Sequence, residues 1–513
     1  MRNFVLILVA AILCISAGSC RKDFDFEPSE GNLEFSKDTV FLDTIFTNIG
    51  SATYTLKVYN RSNKDVQLPF VGLEGGEESD YRINVDGLSG KTFSDIPLLA
   101  KDSLFVFIET TFDISSVGEN EFLYTDALLF GAGDQQQRVE LVTLVRDAIF
   151  LYPRTLSDGT KETLLLGLDE EGDEIRIEGF FLEDDELRFT DEKPYVIYGY
   201  AAVDEGNTLT VDAGARVHFH QNSGILVTSG ASIQINGALS EDGELLENEV
   251  IFEGDRLEPG YADLSGQWGT IWLAEGSISN HIEYLTLKNA TVGLLVEGNA
   301  ESSEAKLILK STQIFNSSSI NLWARNSYIN AENLVLGNAG QSALYCSLGG
   351  RYDFAHATIA NYWNTGFRNS PAVLIDNFEE TPTQTLGGDL NSTKFSNCII
   401  DGNRDIELLL NRDDRYGFEF AFENCLIKFN DVNEIYTNNP LFNFEDTSNY
   451  RDILLNGNTL FVGPNENDFR ITVDSGAIDF GDANTALLVP FDIMGNDRTP
   501  TPDAGAYEYV LGQ

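Results

Sequence analysis

Guanidinium groups interleaved with carboxylates are the groups that cleavage of an acidic polysaccharide would use. The densest such patch is Arg404-Asp405 and Glu407, with Arg412-Asp413-Asp414-Arg415 in the next turn. A lyase needs clustered carboxylates for calcium and an Arg or Lys base. A hydrolase needs two carboxylates at the right separation. Arg404, Asp405 and Asp413 are the catalytic candidates, and Arg351, Asp353 and Arg368 could project from the same side. A surface salt-bridge network would show the same interleaving. Flat rings that could stack on sugars are the other candidates: Trp268, Trp272, Trp323 and Trp363, with Tyr352 and Tyr362. Of the ligand-contact candidates, Trp323, Trp363, Tyr352, Arg351 and Arg368 stand out. His218 and His220 have a spacing that could bind metal, but no third ligand follows at a recognisable spacing.

Groups on different turns of chain cooperate only if something stacks those turns. Six segments between Ile282 and Asn430 share one pattern, registered on Leu287, Ile314, Leu336, Ile359, Ile400 and Ile427 at spacings of 27, 22, 23, 41 and 27. Five residues earlier stand Ile282, Leu309, Ala331, Phe354, Phe395 and Phe422; two earlier stand Leu285, Thr312, Leu334, Ala357, Cys398 and Cys425. Short period-two units at this repeat predict a solenoid, because no unit can bury its apolar face alone. Three residues before the register stand Tyr284, Ser311, Asn333, His356, Asn397 and Asn424; two after it stand Asn289, Asn316, Asn338 and Asn361. Asn tolerates left-handed backbone, so both columns predict bends. Stacked amides could also bond to each other along the axis. The jump of 41 is one coil plus a projecting loop over 376–393. Cys398 and Cys425 share a column; buried free thiols are the expectation and a disulfide the alternative.

The chain has 513 residues and a formal charge of −48, from 33 basic and 81 acidic side chains. That surface argues against nucleic acid, anionic lipid and acidic polymer as unaided partners. It is compatible with divalent cations; no cofactor is indicated, with calcium left open. The run Asp169-Glu170-Glu171-Gly172-Asp173-Glu174 lacks the spacing of an EF-hand and reads as a solvated hairpin. The start has Arg2, an apolar run from Phe4 to Ile15 and small residues up to Cys20, which reads as a targeting segment. Ala17-Gly18-Ser19-Cys20 resembles a bacterial lipobox, which implies lipidation of Cys20; plain secretion is the alternative.

Residues 33–148 read as a β-sandwich, with Tyr54, Leu56 and Val58 alternating, as do Leu104, Val106 and Ile108. The phrases Leu33-Glu34-Phe35-Ser36, Gly50-Ser51-Ala52-Thr53 and Tyr81-Arg82-Ile83-Asn84-Val85 resemble immunoglobulin-like modules of Bacteroidetes surface lipoproteins. The strand Trp268-Gly269-Thr270-Ile271, the Asn columns and the tail Asp503-Ala504-Gly505-Ala506-Tyr507 resemble right-handed parallel β-helix lipoproteins of the same group. Lys22-Asp23-Phe24-Asp25-Phe26-Glu27 is similar to their acidic export signals. The resemblance implies an outer-membrane address, with the outward-facing orientation left open, and little chemistry. The expected fold is all-β: a signal peptide over 1–19, a tether over 20–32, the sandwich over 33–148, an acidic bridge over 149–194, and a right-handed parallel β-helix over 195–513 with a C-terminal capping coil. About a dozen coils would stack to roughly 60 Å. The expected function is noncatalytic binding, adhesion or a structural role, towards a polysaccharide or an envelope or matrix protein. The alternative is a polysaccharide lyase or hydrolase. Oligomeric state is not legible.

Overall fold

Alternation of side chains between two faces builds the sheets of this protein. Its structure, a computed structural model, describes residues 26–511 apart from 115–120, 170, 244, 299, 382 and 383. Cys20 and the targeting segment lie outside the described residues. The chain divides into two units between Asp147 and Ala148. In the first, Ser103–Thr110 pairs antiparallel with Tyr54–Tyr59 and Tyr81–Val85, and Glu121–Phe130 pairs antiparallel with Gln137–Arg146. Leu56, Val58, Leu104, Val106 and Ile108 point into one shared core, as their period-two spacing requires.

The second unit is a parallel β-helix. Three sheets of eleven, ten and ten strands run its length among the described residues. At the usual strand spacing the stack is roughly 50 Å long. The registered residues Leu287, Ile314, Leu336, Ile359, Ile400 and Ile427 pair coil to coil in the first sheet and are fully buried. In the third sheet Phe354, Phe395, Phe422 and Tyr450 form a stacked ladder, with successive centroids 4.8, 4.8 and 5.6 Å apart. Such offset stacks add to the area they bury. Cys398 and Cys425 are buried free thiols.

Tyr284, Ser311, Asn333, His356, Asn397 and Asn424 all adopt positive φ, as do Asn289, Asn316 and Asn338. The bend columns are therefore real, with Asn361 the exception. Among the described residues no amide-to-amide bond links neighbouring coils, although the Asn397 amide reaches the His356 ring one coil away at 2.9 Å. The left-handed bend turns the amides outwards, onto the tail: Asn333, Asn397 and Asn424 donate to the carbonyls of Phe491, Asp482 and Phe480. Asn424→Val should therefore lower stability by about 2 kcal/mol, from β-branched strain at positive φ plus a lost hydrogen bond. Asn424→Gly should cost less, and urea midpoints of the two variants check the order.

The boundaries differ from the expected ones in two places. The stretch 149–194 is no bridge. Ile149–Leu151, Glu174–Phe181 and Arg188–Phe189 supply a first parallel strand to each sheet. Thr163–Leu168 pairs antiparallel with Glu174–Phe181 there as a hairpin. At the other end the last coil, through Tyr450–Arg451 and Leu454–Leu455, is closed without the tail. Aromatic side chains between Phe429 and Tyr450 close the core, with Phe429 stacked on Phe442 at 4.9 Å. The tail instead runs back along the first sheet, where Phe469, Ile493, Ala506 and Tyr507 cover Phe315, Val335 and Ala360. Those outward apolar residues could not have been left to water.

Candidate functional site

The second sheet puts one outward column in register over eight strands. Ala202, Leu226, Trp272, Leu295, Trp323, Tyr345, Leu374 and Leu409 follow one another coil by coil. From Trp272 to Leu409 every member is half-buried. Two residues further along, a polar column runs beside it: Glu297, Arg325 and Ser347 in register, then Asp376 and Asn411. This polar column holds the rings. The indole N–H of Trp272 donates to Glu297 at 2.7 Å, and that of Trp323 to the Ser347 hydroxyl at 3.1 Å. The Tyr345 hydroxyl donates to Asp376 at 3.1 Å. Trp323 and Tyr345 stack with centroids 5.8 Å apart and planes at 17°. Arg325 reaches over Trp323 and bridges Glu297 to Glu379, which stands on the inserted hairpin formed by Phe378–Glu380 and Thr385–Gly387. Burial raises the Asp376 carboxyl to about 6, against hydrogen bonds from Asn411 and Tyr345.

The ladder ends in a cavity. Leu409 also lines a space of about 560 Å³ with Ile406, Arg404, Asp405, Asn430 and Tyr436. Two of the expected catalytic residues, Arg404 and Asp405, therefore do share a concave site. Asp413 does not join them. The strand Leu408–Asn411 separates the two halves of the polar patch and puts them at opposite corners of the coil. Asp413 is held by Arg415 there, which keeps its carboxyl below the ordinary value.

The expected ligand contacts fare unevenly. Trp323 belongs to the ladder. Trp363 lies half-buried on the loop before the second sheet, its carbonyl held by Asn403. Arg351 is exposed and stacks on Tyr328 at 4.3 Å. Tyr352 is core: it is 1% exposed and its hydroxyl donates to the carbonyl of Gly349. Arg368 is buried as well. It clasps both oxygens of Glu407 at 2.6 and 2.8 Å and donates to the carbonyl of Asn361 and to Asn403. Backbone N–H groups of Ala372 and Arg404 complete the Glu407 carboxylate. Arg368 and Glu407 therefore fasten two loops together and cannot reach a ligand. His218 lies near Glu253 and His220 is bonded to Asp255. Among the described residues no three His, Cys, Asp or Glu side chains are grouped to hold an ion.

No family model matches the chain, and no curated protein matches it. Solved structures give remote likenesses. One is the catalytic unit of a GH87 α-1,3-glucanase from Streptomyces thermodiastaticus: 11% identity over 72% of this chain and 78% of that one, with a TM-score of 0.24. A PapD-like domain of human CEP192 is 11% identical over 25% of this chain and 91% of its own, with a TM-score of 0.16. A family 123 glycoside hydrolase from Clostridium perfringens is 6% identical, over 23% of this chain and 30% of its own length, with a TM-score of 0.16. Likenesses this weak bear on neither substrate nor activity.

Proposed function

We propose that this protein is a noncatalytic polysaccharide-binding protein of the cell envelope, and that the ladder on the second sheet is its binding face. The observation that carries the reading is the register of Trp272, Trp323 and Tyr345 in one outward column. A polymer repeats along its length, and so does this surface, once per strand spacing. Pyranose C–H groups rest well on the electron-rich faces of aromatic rings. The parallel polar column offers donors and acceptors to ring hydroxyls. Each carboxylate beside the rings is already engaged, Glu297 and Glu379 by Arg325 and Asp376 by Tyr345 and Asn411. This arrangement suits orientation better than attack by water. Affinity electrophoresis across neutral and acidic polysaccharides tests the reading: retardation without new reducing ends or unsaturated products is the expected result.

The envelope address rests on Ala17-Gly18-Ser19-Cys20, with lipid on the Cys20 sulfur and anchorage in the outer membrane. A single acyl chain binds membranes only weakly, so the mature anchor would carry more than one. Cys20→Ala should abolish fatty-acid labelling and move the protein from the membrane fraction to the soluble one. Labelling that survives the substitution would contradict the address.

A further inference from the structure

The corner between the first and second sheets changes character in the first coils. Phe219 pairs with Gly254 where later coils bend through Asn289, Asn316 and Asn338. Next to this column, Tyr198, His220 and Asp255 follow the ends of three successive strands, one coil apart. Stacking therefore brings together residues that lie 22 and 35 positions apart in sequence. His220 Nδ1 is 2.7 Å from an oxygen of Asp255, whose side chain is 6% exposed. Tyr198 covers the imidazole at 4.4 Å between centroids. The His220 side chain is 48% exposed, so with Nδ1 engaged Nε2 is the ring nitrogen left to face outwards. A cavity of about 500 Å³ opens here, lined by Tyr152, Lys161, Glu178, Tyr198, His220 and Asn222.

We propose that this corner is a second binding site, for the carboxylate-bearing ring of an acidic sugar. Its residues are not those of the ladder. Lys161 is exposed and forms no ion pair among the described residues, which is notable in a chain of charge −48. Asp255 balances a protonated His220, and the Nε2 proton then points at solvent. Together Lys161 and His220 offer two charge-assisted donors to one carboxylate. The ring of Tyr152, 59% exposed, supplies a flat apolar wall, and Asn222 and Glu178 supply partners for hydroxyls. The hydrogen bond to Asp255 raises the imidazole above its ordinary 6.5; Glu178 adds to this, while burial and Arg256 oppose it. Binding should therefore strengthen as pH falls through that raised value and fade above it.

The test is calorimetry on the full chain with glucuronate, and with glucose as the uncharged control, at about pH 6 and about pH 8. Glucuronate should bind at the lower pH and glucose should not. Its affinity should drop about tenfold or more at the higher pH, the worth of one charge-assisted hydrogen bond. His220→Gln should remove the pH dependence. Lys161→Met, on an exposed side chain, should weaken glucuronate binding by a similar factor and serves if His220→Gln fails to fold. Equal binding of glucose, binding that ignores pH, no binding of glucuronate, or unchanged affinity in Lys161→Met would each overturn the proposal.

Discussion

Trp323→Ala should cut affinity for a retained polysaccharide roughly 30-fold, the factor that corresponds to a loss of about 2 kcal/mol at a binding hot spot. The ring is set before any ligand arrives. Ser347 holds its N–H, Tyr345 stacks on one side and Arg325 reaches over it, so little side-chain entropy remains to be lost on binding. Trp323→Phe should keep much of the affinity, because it keeps a flat face and loses only the bond to Ser347. The double variant Trp272→Ala/Trp323→Ala should abolish retardation. Trp363→Ala should not, since Trp363 stands outside the column. Retardation isotherms for the four variants check this. Equal losses in Trp323→Ala and Trp363→Ala would mean that general loosening, not the ladder, is being read.

Glu407→Ala should be the most destabilising single change in the second unit, at about 3–5 kcal/mol. It leaves the Arg368 guanidinium buried at 2% exposure with its charge uncompensated, and it strips acceptors from the N–H groups of Arg404 and Ala372. Burial already pushes the Glu407 carboxyl above its ordinary value although Arg368 pulls it down, so desolvation is the larger influence. Replacing both partners, Arg368→Met with Glu407→Leu, should recover most of the loss, because no charge is then left buried. Urea denaturation of the two single variants and the double variant would show the pattern. A double variant no better than Glu407→Ala would mean that the backbone bonds to the carboxylate dominate.

The β-helix was legible because its signal repeats. Six units with an inward aliphatic, a second apolar column and polar bend columns rich in Asn leave few other folds, and all six −3 residues do take positive φ. The early coils were harder to read. Strands of three or four residues give too few alternations to set a phase. In the strand Tyr195–Ile197 the core takes Tyr195 and Ile197, so Val196 lies on the opposite face. A slip of one residue exchanges the faces, so the column of Tyr198, His220 and Asp255 cannot be phased from such short strands. The tail was misplaced for a different reason. Its hydrogen bonds go to bends 56 to 158 residues earlier, such as Asn338 to the carbonyl of Pro464. Nothing local encodes that contact. The expected site fell apart because charge density along a sequence ignores corners. Asp405 and Asp413 are eight residues apart, with a strand between them. The ladder could have been found. Trp272, Trp323 and Tyr345 each sit one residue past a buried aliphatic, namely Ile271, Leu322 and Leu344, which marks the outer face of a strand.

The most direct test of the central claim is affinity electrophoresis of the full chain in gels cast with single polysaccharides, with each polymer assayed afterwards for reducing ends and unsaturated products. Binding along the ladder predicts retardation in at least one polymer, removed by the Trp272→Ala/Trp323→Ala double variant, with the polymer left intact. Retardation unchanged in the double variant would contradict the ladder as the binding face. New chain ends that vanish on substituting Asp405 or Arg404 would make the protein an enzyme and move its site to the cavity beyond Leu409.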